Sequence, residues 1–383
     1  MDAPELESVA SALGMETPPG ASTAHLAGLI AAELRRRAGL PEARLLAVTE
    51  APDAAARRSA LAARLRDLVD ADRTCPHRTL EGFTCGLPAI KGEEQCSLHG
   101  GVDSSDLAVP ALGRLGTDTW PALLRHLRLA SYDIDALGLD PVLAELAWHI
   151  GNALYFEYFH VRVEGIEHVP STGAAVLAAN HGGAAIPYDA AMLQLALLNE
   201  PAVPRRVRVV GTEVFNMLPF VSHLYRKIGA AYASRQDARW VLGNGQLLGV
   251  FPEGVRGFQK PVSESYRLRR FGRGGFASLA AEVGAPVVPV AILGSEETHP
   301  ALFTSRTLAK AVRTVFPDQR VEEMAVWVNP IPLPVRWMIR FLPPVPTAPG
   351  PLDGLAALEL AERVRTQIQA ALDEMITLRG RAY

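Results

Sequence analysis

Cysteine is scarce in this chain: 383 residues hold three, too few and odd in number for a disulfide framework. Lysine occurs four times among 38 basic residues, so arginine supplies the other 34, and its planar fork suits phosphate or carboxylate. There is no excess of positive charge. The formal net charge is −3, which leaves no electrostatic footprint for nucleic acid. No uncharged apolar run reaches the 18 or so residues of a membrane-spanning helix. The richest stretch, Ala325–Val345, is broken by five prolines and by Arg336 and Arg340. Met1–Met15 is acidic, with apolar residues at helical intervals, unlike a signal peptide. Internal repeats are missing too. These absences predict a cytoplasmic protein, soluble or peripheral to a membrane. What is present, 49% hydrophobic and 21% charged residues, suits a packed chain of two to three domains by the usual length of roughly 100–200 residues each.

The texture changes along the chain. Residues 1–72 predict a helical arm, since Leu26, Leu29, Ile30 and Leu34, and then Leu61, Leu65 and Val69, recur at three- and four-residue steps. Residues 73–102 form a small turn-rich module with all three cysteines, and residues 103–130 a linker with a helix at Trp120–Leu129. Residues 131–383 alternate strand and helix. Asp140-Pro141 caps a helix reaching Tyr158. Val161–Val163, Ala174–Ala179, Arg206–Val210, Leu247–Phe251 and Val287–Leu293 are short apolar runs, separated by helices such as Tyr188–Leu198 and Gly274–Val283. The last helix is expected at Leu355–Met375. Buried strands alternating with helices predict an α/β fold whose largely parallel central sheet is flanked by helices.

Cys75, Cys85, Cys96 and His99 are spaced C-x9-C-x10-C-x2-H. Such a ligand set, closed by a tight knuckle, suits tetrahedral zinc. So short a segment lacks the apolar side chains to fold unaided, so metal would supply its folding energy. His77 is a spare histidine, too near Cys75 to be favoured. The segment also resembles small zinc-binding modules of Cys3His type. A closed four-ligand site leaves no position for water, so the expected zinc is structural.

A second constellation lies in the α/β region. The strand at Ala174–Ala179 ends in Asn180-His181-Gly182-Gly183, where open α/β sheets place their ligands. Asp189, eight positions on, can reach back to the imidazole, fix its tautomer and leave the other nitrogen free as a base. Phe251-Pro252-Glu253-Gly254 ends another strand and is followed by Arg256, Gly257 and Lys260. Ile228–Ser234 leads to Arg235, and Val287–Ile292 forms an apolar wall.

Asn-His…Asp, Gly…Arg, Phe-Pro-Glu-Gly and Val-Pro-Val, in this order, resemble the glycerolipid acyltransferase family, which includes the lysophosphatidic acid and glycerol-3-phosphate acyltransferases. The resemblance spans roughly residues 130–342. It implies that His181 is the general base on an acceptor hydroxyl, supported by Asp189, and that Arg235 holds the acceptor's phosphate. It further implies that Asn180, Glu253, Gly254 and Arg256 shape the acceptor site. The donor would be acyl-CoA or an acyl carrier protein, with no covalent intermediate and no catalytic cofactor. One departure stands out. Seven residues separate His181 from Asp189, where the family usually has four, so a neutral glyceride or another alcohol remains an alternative acceptor. Hydrolysis lacks a Gly-x-Ser-x-Gly elbow, and a non-catalytic lipid-binding protein with a zinc module is the reading from another class. Two segments combine apolar bulk with cations as interfacial anchors do: Pro330–Pro344 and Val214–Ile228.

Overall fold

A computed structural model describes residues 69–90, 94–96, 99, 134–182, 187–211, 221–272, 274–315, 323–327, 329 and 331–379, with isolated positions 4, 6, 7 and 10. The helices expected at Ser22–Leu40 and Trp120–Leu129, and all of Ala54–Val69 but its last residue, lie outside these. Val69 opens a strand instead. The chain divides into two compact units, one of Met1–Ile134 with Asp140–Ala153 and the other of Asp135–Leu139 with Leu154–Tyr383.

In the first unit, β1 (Val69–Thr74) and β2 (Pro88–Ile90) pair antiparallel, Val69 opposite Ile90. Helix α1 (Pro141–Asn152) starts where Asp140 accepts from the N–H groups of Val142 and Leu143, with Pro141 in the first turn, so two of its first N–H groups are satisfied and none is wasted on proline. Its Val142, Leu143 and Leu146 form one buried cluster with Cys75, Cys85, Leu87 and Cys96. The residues 141–152 thus group with the cysteine segment rather than with the α/β unit. The helix expected to reach Tyr158 ends as α-helix at Asn152 and continues as a π-helical turn, Ala153–Tyr158.

The second unit is built on a seven-stranded sheet. In chain order its strands and helices are β3 (Arg162–Glu164), β4 (Ala175–Ala179), α2 (Tyr188–Asn199), β5 (Val207–Gly211), α3 (Val221–Lys227), β6 (Ala231–Tyr232), α4 (Arg235–Gly243), β7 (Leu247–Val250), α5 (Val255–Phe258), α6 (Gly275–Val283), β8 (Val287–Leu293), α7 (Ser295–Thr298), β9 (Ala301–Ser305), α8 (Arg306–Val315), β10 (Met324–Trp327), β11 (Met338–Phe341) and α9 (Gly354–Arg379). The sheet order is β3-β11-β8-β4-β7-β5-β6, while β9 and β10 form a separate ribbon. β8, β4, β7, β5 and β6 run parallel, and only the β11–β8 pairing is antiparallel. The fold is therefore α/β with a largely parallel central sheet flanked by helices, as the alternation predicts.

Every residue of β4 and β8 is buried, which explains their unbroken apolar runs: a strand covered on both faces has no solvent side to alternate with. α4 packs on α6, and residues of both lie in the main core. α9 joins them, and its Val364, Ile368 and Leu372 are fully buried in the main core with Phe276 and Ala280 of α6. One expectation is corrected here. Trp337, Met338, Ile339 and Phe341 of Pro330–Pro344 are buried because β11 is inserted between β3 and β8; those aromatics are core, not a membrane anchor. In the second candidate, Val214–Ile228, residues 214–220 lie outside the described set. Of the remainder, Leu224 is exposed and Lys227 buried. Among the described residues no helix is long and apolar enough to cross a membrane.

Candidate functional site

Three adjacent parallel strands, β8, β4 and β7, end at one edge of the sheet, and each delivers polar residues there. β4 is followed by Asn180 and His181. Asn180 is fully buried and spends its amide on β8: Nδ2 donates to the Ile292 carbonyl at 2.9 Å and Oδ1 accepts the Ile292 N–H at 2.7 Å. It extends the β4–β8 ladder through a side chain and so sets where His181 leaves the sheet.

His181 Nδ1 lies 2.6 Å from Asp189 Oδ2. Because a carboxylate there can only accept, Nδ1 carries the proton and Nε2 presents a lone pair. Asp189 is fully buried. Its Oδ2 also accepts the Gly182 N–H at 3.0 Å and its Oδ1 the Ala190 N–H at 2.8 Å. It sits in the first turn of α2, where the helix dipole favours a negative charge. The seven-residue separation therefore still closes the pair. Tyr225 feels this carboxylate: burial first, then Asp189, push its hydroxyl up to about 12, so it stays neutral.

Two phenyl rings contact the imidazole. Phe251 stacks on it at 4.6 Å between centroids and Phe258 meets it edge-on at 5.1 Å. Gly257 makes this approach possible, since a Cβ there would lie 2.7 Å from His181 Cβ and 2.9 Å from its carbonyl oxygen. The His181 side chain keeps 12% of its surface exposed.

β7 supplies Glu253, whose side chain is enclosed. Its Oε1 accepts the His181 N–H at 3.1 Å and its Oε2 the Arg269 N–H at 2.7 Å. Lys260, itself buried, lies 3.5 Å from Glu253 Oε2 and 2.8 Å from Glu296 Oε1. Glu296 follows β8 and accepts the Tyr266 N–H at 3.0 Å. One ammonium thus stands between two buried carboxylates behind the histidine. Sequence reading placed Lys260 among edge cations and assigned no role to Glu296. The one clue to Glu296 is its position: a carboxylate three residues beyond the end of a fully apolar strand.

Burial is the strongest influence on Glu296 and raises its carboxyl from an ordinary 4.5 to about 7, against the pull of Lys260. The folded protein then binds more protons than the unfolded chain between about pH 4.5 and 7, so this group's contribution to stability falls as pH rises through that window. Glu296→Gln is expected to remove this pH dependence, a change of about 3 kcal/mol in all across the window. Urea unfolding at a series of pH values measures it, and an unchanged slope in the variant would refute the assignment.

Of the other residues anticipated for the site, Gly254 sits at φ 59° next to Glu253 and starts α5. Arg256 is exposed on α5, and Arg235 is exposed in the first turn of α4. α4 follows β6, three strands from β4, or about 14 Å at the usual strand spacing. The structure therefore brings His181, Asp189 and Glu253 together and leaves the two arginines at the rim.

In the first unit, Cys75, Cys85, Cys96 and His99 converge, their ligand atoms all within 4.8 Å of one another. His99 Nδ1 is 3.3 Å from Cys96 Sγ and 3.5 Å from Cys75 Sγ, and Cys85 Sγ is 3.9 Å from Cys96 Sγ. With metal–sulfur bonds of about 2.3 Å and metal–nitrogen bonds of about 2.1 Å, a tetrahedral zinc site has edges of about 3.8 and 3.6 Å, so the tetrad fits. Outside it, Glu145 of α1 lies 3.4 Å from His99 Nε2 and 3.0 Å from His77 Nε2. His77 stacks on His99 at 3.8 Å, so it belongs to the surroundings of the ligand, not to the tetrad.

The site places the chain in a class. A family model described as Acyltransferase matches residues 160–293, which includes His181, Asp189, Glu253 and β8. An uncharacterized protein of Mycobacterium tuberculosis strain H37Rv is 35% identical over 273 residues, covering 68% of this chain and 74% of its own length. A protein of Mycobacterium leprae, likewise described as uncharacterized, is 36% identical over 273 residues, covering 68% and 72%. The chain belongs to the acyltransferase family. A crystal structure titled as the 1-acyl-sn-glycerophosphate (LPA) acyltransferase, PlsC, of Thermotoga maritima is similar with a TM-score of 0.44 and 20% identity, over 69% of this chain and 89% of that one.

Proposed function

We propose that the protein transfers a fatty acyl group from an acyl thioester, acyl-CoA or acyl carrier protein, to a hydroxyl of a glycerolipid, with a lysophospholipid such as lysophosphatidate as acceptor. One observation carries the reading: His181 is held through Nδ1 by buried Asp189, which leaves Nε2 to act as the base. Nε2 takes the hydroxyl proton as the oxygen attacks the thioester carbonyl. The new C–O bond forms, the C–S bond breaks as the tetrahedral centre collapses, and the departing thiolate recovers the proton from Nε2. No cofactor enters this cycle. Asn180 and Glu253, engaged with the protein itself, shape the acceptor side by fixing the backbone around His181. The zinc-fitting tetrad has a structural part, and the protein works at a membrane surface as a peripheral enzyme of the cytoplasm.

Arg235 decides the acceptor. An arginine on phosphate contributes roughly 1.5–3 kcal/mol in a partly desolvated site. Because Arg235 is exposed, screening by water cuts this to about 1 kcal/mol, so Arg235→Ala is expected to weaken lysophosphatidate by about fivefold and the matching monoacylglycerol only slightly, with Arg256→Ala as the nearer-rim comparison. The long His181–Asp189 connection favours the neutral acceptor as the second reading. Steady-state kinetics with labelled acyl-CoA on both acceptors separates them. Equal small losses on both, or a wild-type preference for the monoacylglycerol, would overturn the phosphate assignment.

A further inference from the structure

We propose that the β9–β10 ribbon with helix α8 is the surface by which this protein docks onto an anionic bilayer; the inference rests on the reading that its acceptor is a lipid. Leu302 and Phe303 are consecutive in β9 and are 59% and 54% exposed. Neighbours in a strand point to opposite faces, so the ribbon shows apolar bulk on both. Val262, in the 3₁₀ turn that packs against β9, Leu308 on α8 and Ile331 are exposed as well. A two-stranded ribbon outside the main sheet gains nothing from wet leucine and phenylalanine. Exposed apolar side chains gathered on elements that adjoin one another, the Val262 turn against β9 and α8 against β10, mark an interaction site.

Chain path sets this surface beside the reactive edge. β9 begins three residues after α7, which carries Glu296, and Val262 follows Lys260 by two. His299, just before the ribbon, stacks on Tyr188 at the start of α2, 5.6 Å between centroids. A bilayer meeting the ribbon therefore lies at the sheet edge onto which His181 opens.

Charge selects the occupant. The segment Arg306–Val315 contains Arg306, Lys310 and Arg313 and no acidic residue. Ser305 Oγ caps the helix by accepting the Leu308 N–H at 3.2 Å. Arg306 is paired with Glu323 at 2.8 Å, while Lys310 is exposed. Cations beside aromatic and aliphatic side chains match an anionic interface.

The test is flotation of the full-length protein with vesicles of phosphatidylcholine alone and of phosphatidylcholine with phosphatidylglycerol. Wild type is expected to float with the anionic vesicles. Leu302→Ser combined with Phe303→Ser should cut partitioning at least tenfold, and Lys310→Glu more than fivefold on anionic vesicles only. Each variant should keep wild-type turnover on detergent-dispersed substrates, which shows that it folds. Wild type that ignores both vesicles, or a double variant that floats as well as wild type, overturns the surface. So does a chain that self-associates through these residues instead of binding lipid. Failure of acyl transfer in detergent with vesicle binding intact would sink the enzymatic reading alone.

Discussion

Replacing His181 with alanine is expected to lower acyl transfer by about 10²- to 10⁴-fold, the usual cost of a lost general base, with zinc content and unfolding midpoint close to wild type. The size of the effect follows from how fully the surroundings serve this ring. Asp189 fixes the tautomer at 2.6 Å, Phe251 and Phe258 fix the plane, and Glu253 fixes the backbone N–H at 3.1 Å. The fold should survive because Asp189 keeps two backbone N–H partners, those of Gly182 and Ala190. Asp189→Asn should lose somewhat less, since an amide oxygen can still accept from Nδ1 but offers no charge to the imidazolium. Single-turnover measurements with labelled acyl-CoA give the rate of the chemical step. Near-normal turnover in His181→Ala would show the mechanism to be wrong.

The second large effect concerns metal. Freshly purified protein is expected to hold one zinc per chain, and Cys96→Ser to hold almost none. Structural zinc contributes roughly 10–16 kcal/mol of apparent binding free energy in small fingers at neutral pH. The same buried cluster contains Leu87 with Val142, Leu143 and Leu146 of α1, so release of the ion should also expose the 75–99 segment to protease. In the absence of metal, the hydrogen bond to Cys96 and burial push the Cys85 thiol far up. A thiolate forms there only if a cation compensates it. Elemental analysis finding no zinc in samples kept in reducing buffer would remove the proposal.

Much of the site was legible because its parts lie next to strands that announce themselves. The apolar runs before His181 and Glu253 stop abruptly at polar residues, and such a stop marks a sheet edge. β8 was placed over Val287–Leu293 from its continuous apolar character alone, and β4 and β7 to within a residue at each end. Four cysteine and histidine positions close in chain converge in space, as short loops with glycine allow. The Lys260 arrangement was not legible. Its meaning depends on β8, β4 and β7 lying side by side, an order set by crossovers that no local pattern encodes.

By itself, then, the sequence determined the fold class and five strands of the central sheet, which follow from local periodicity, and it brought the Cys75, Cys85, Cys96 and His99 positions forward by their spacing along the chain. Tertiary structure decided which apolar and charged residues are inside. Trp337 and Phe341 read as interfacial by composition, yet β11 sits between two strands and buries them. Leu302 and Phe303 carry no signal in the sequence that sets them apart, yet their ribbon lies outside the sheet and stays wet. A core strand and a membrane-facing strand have the same chemistry; what separates them is whether other strands or helices cover them, and coverage comes from contacts distant in sequence.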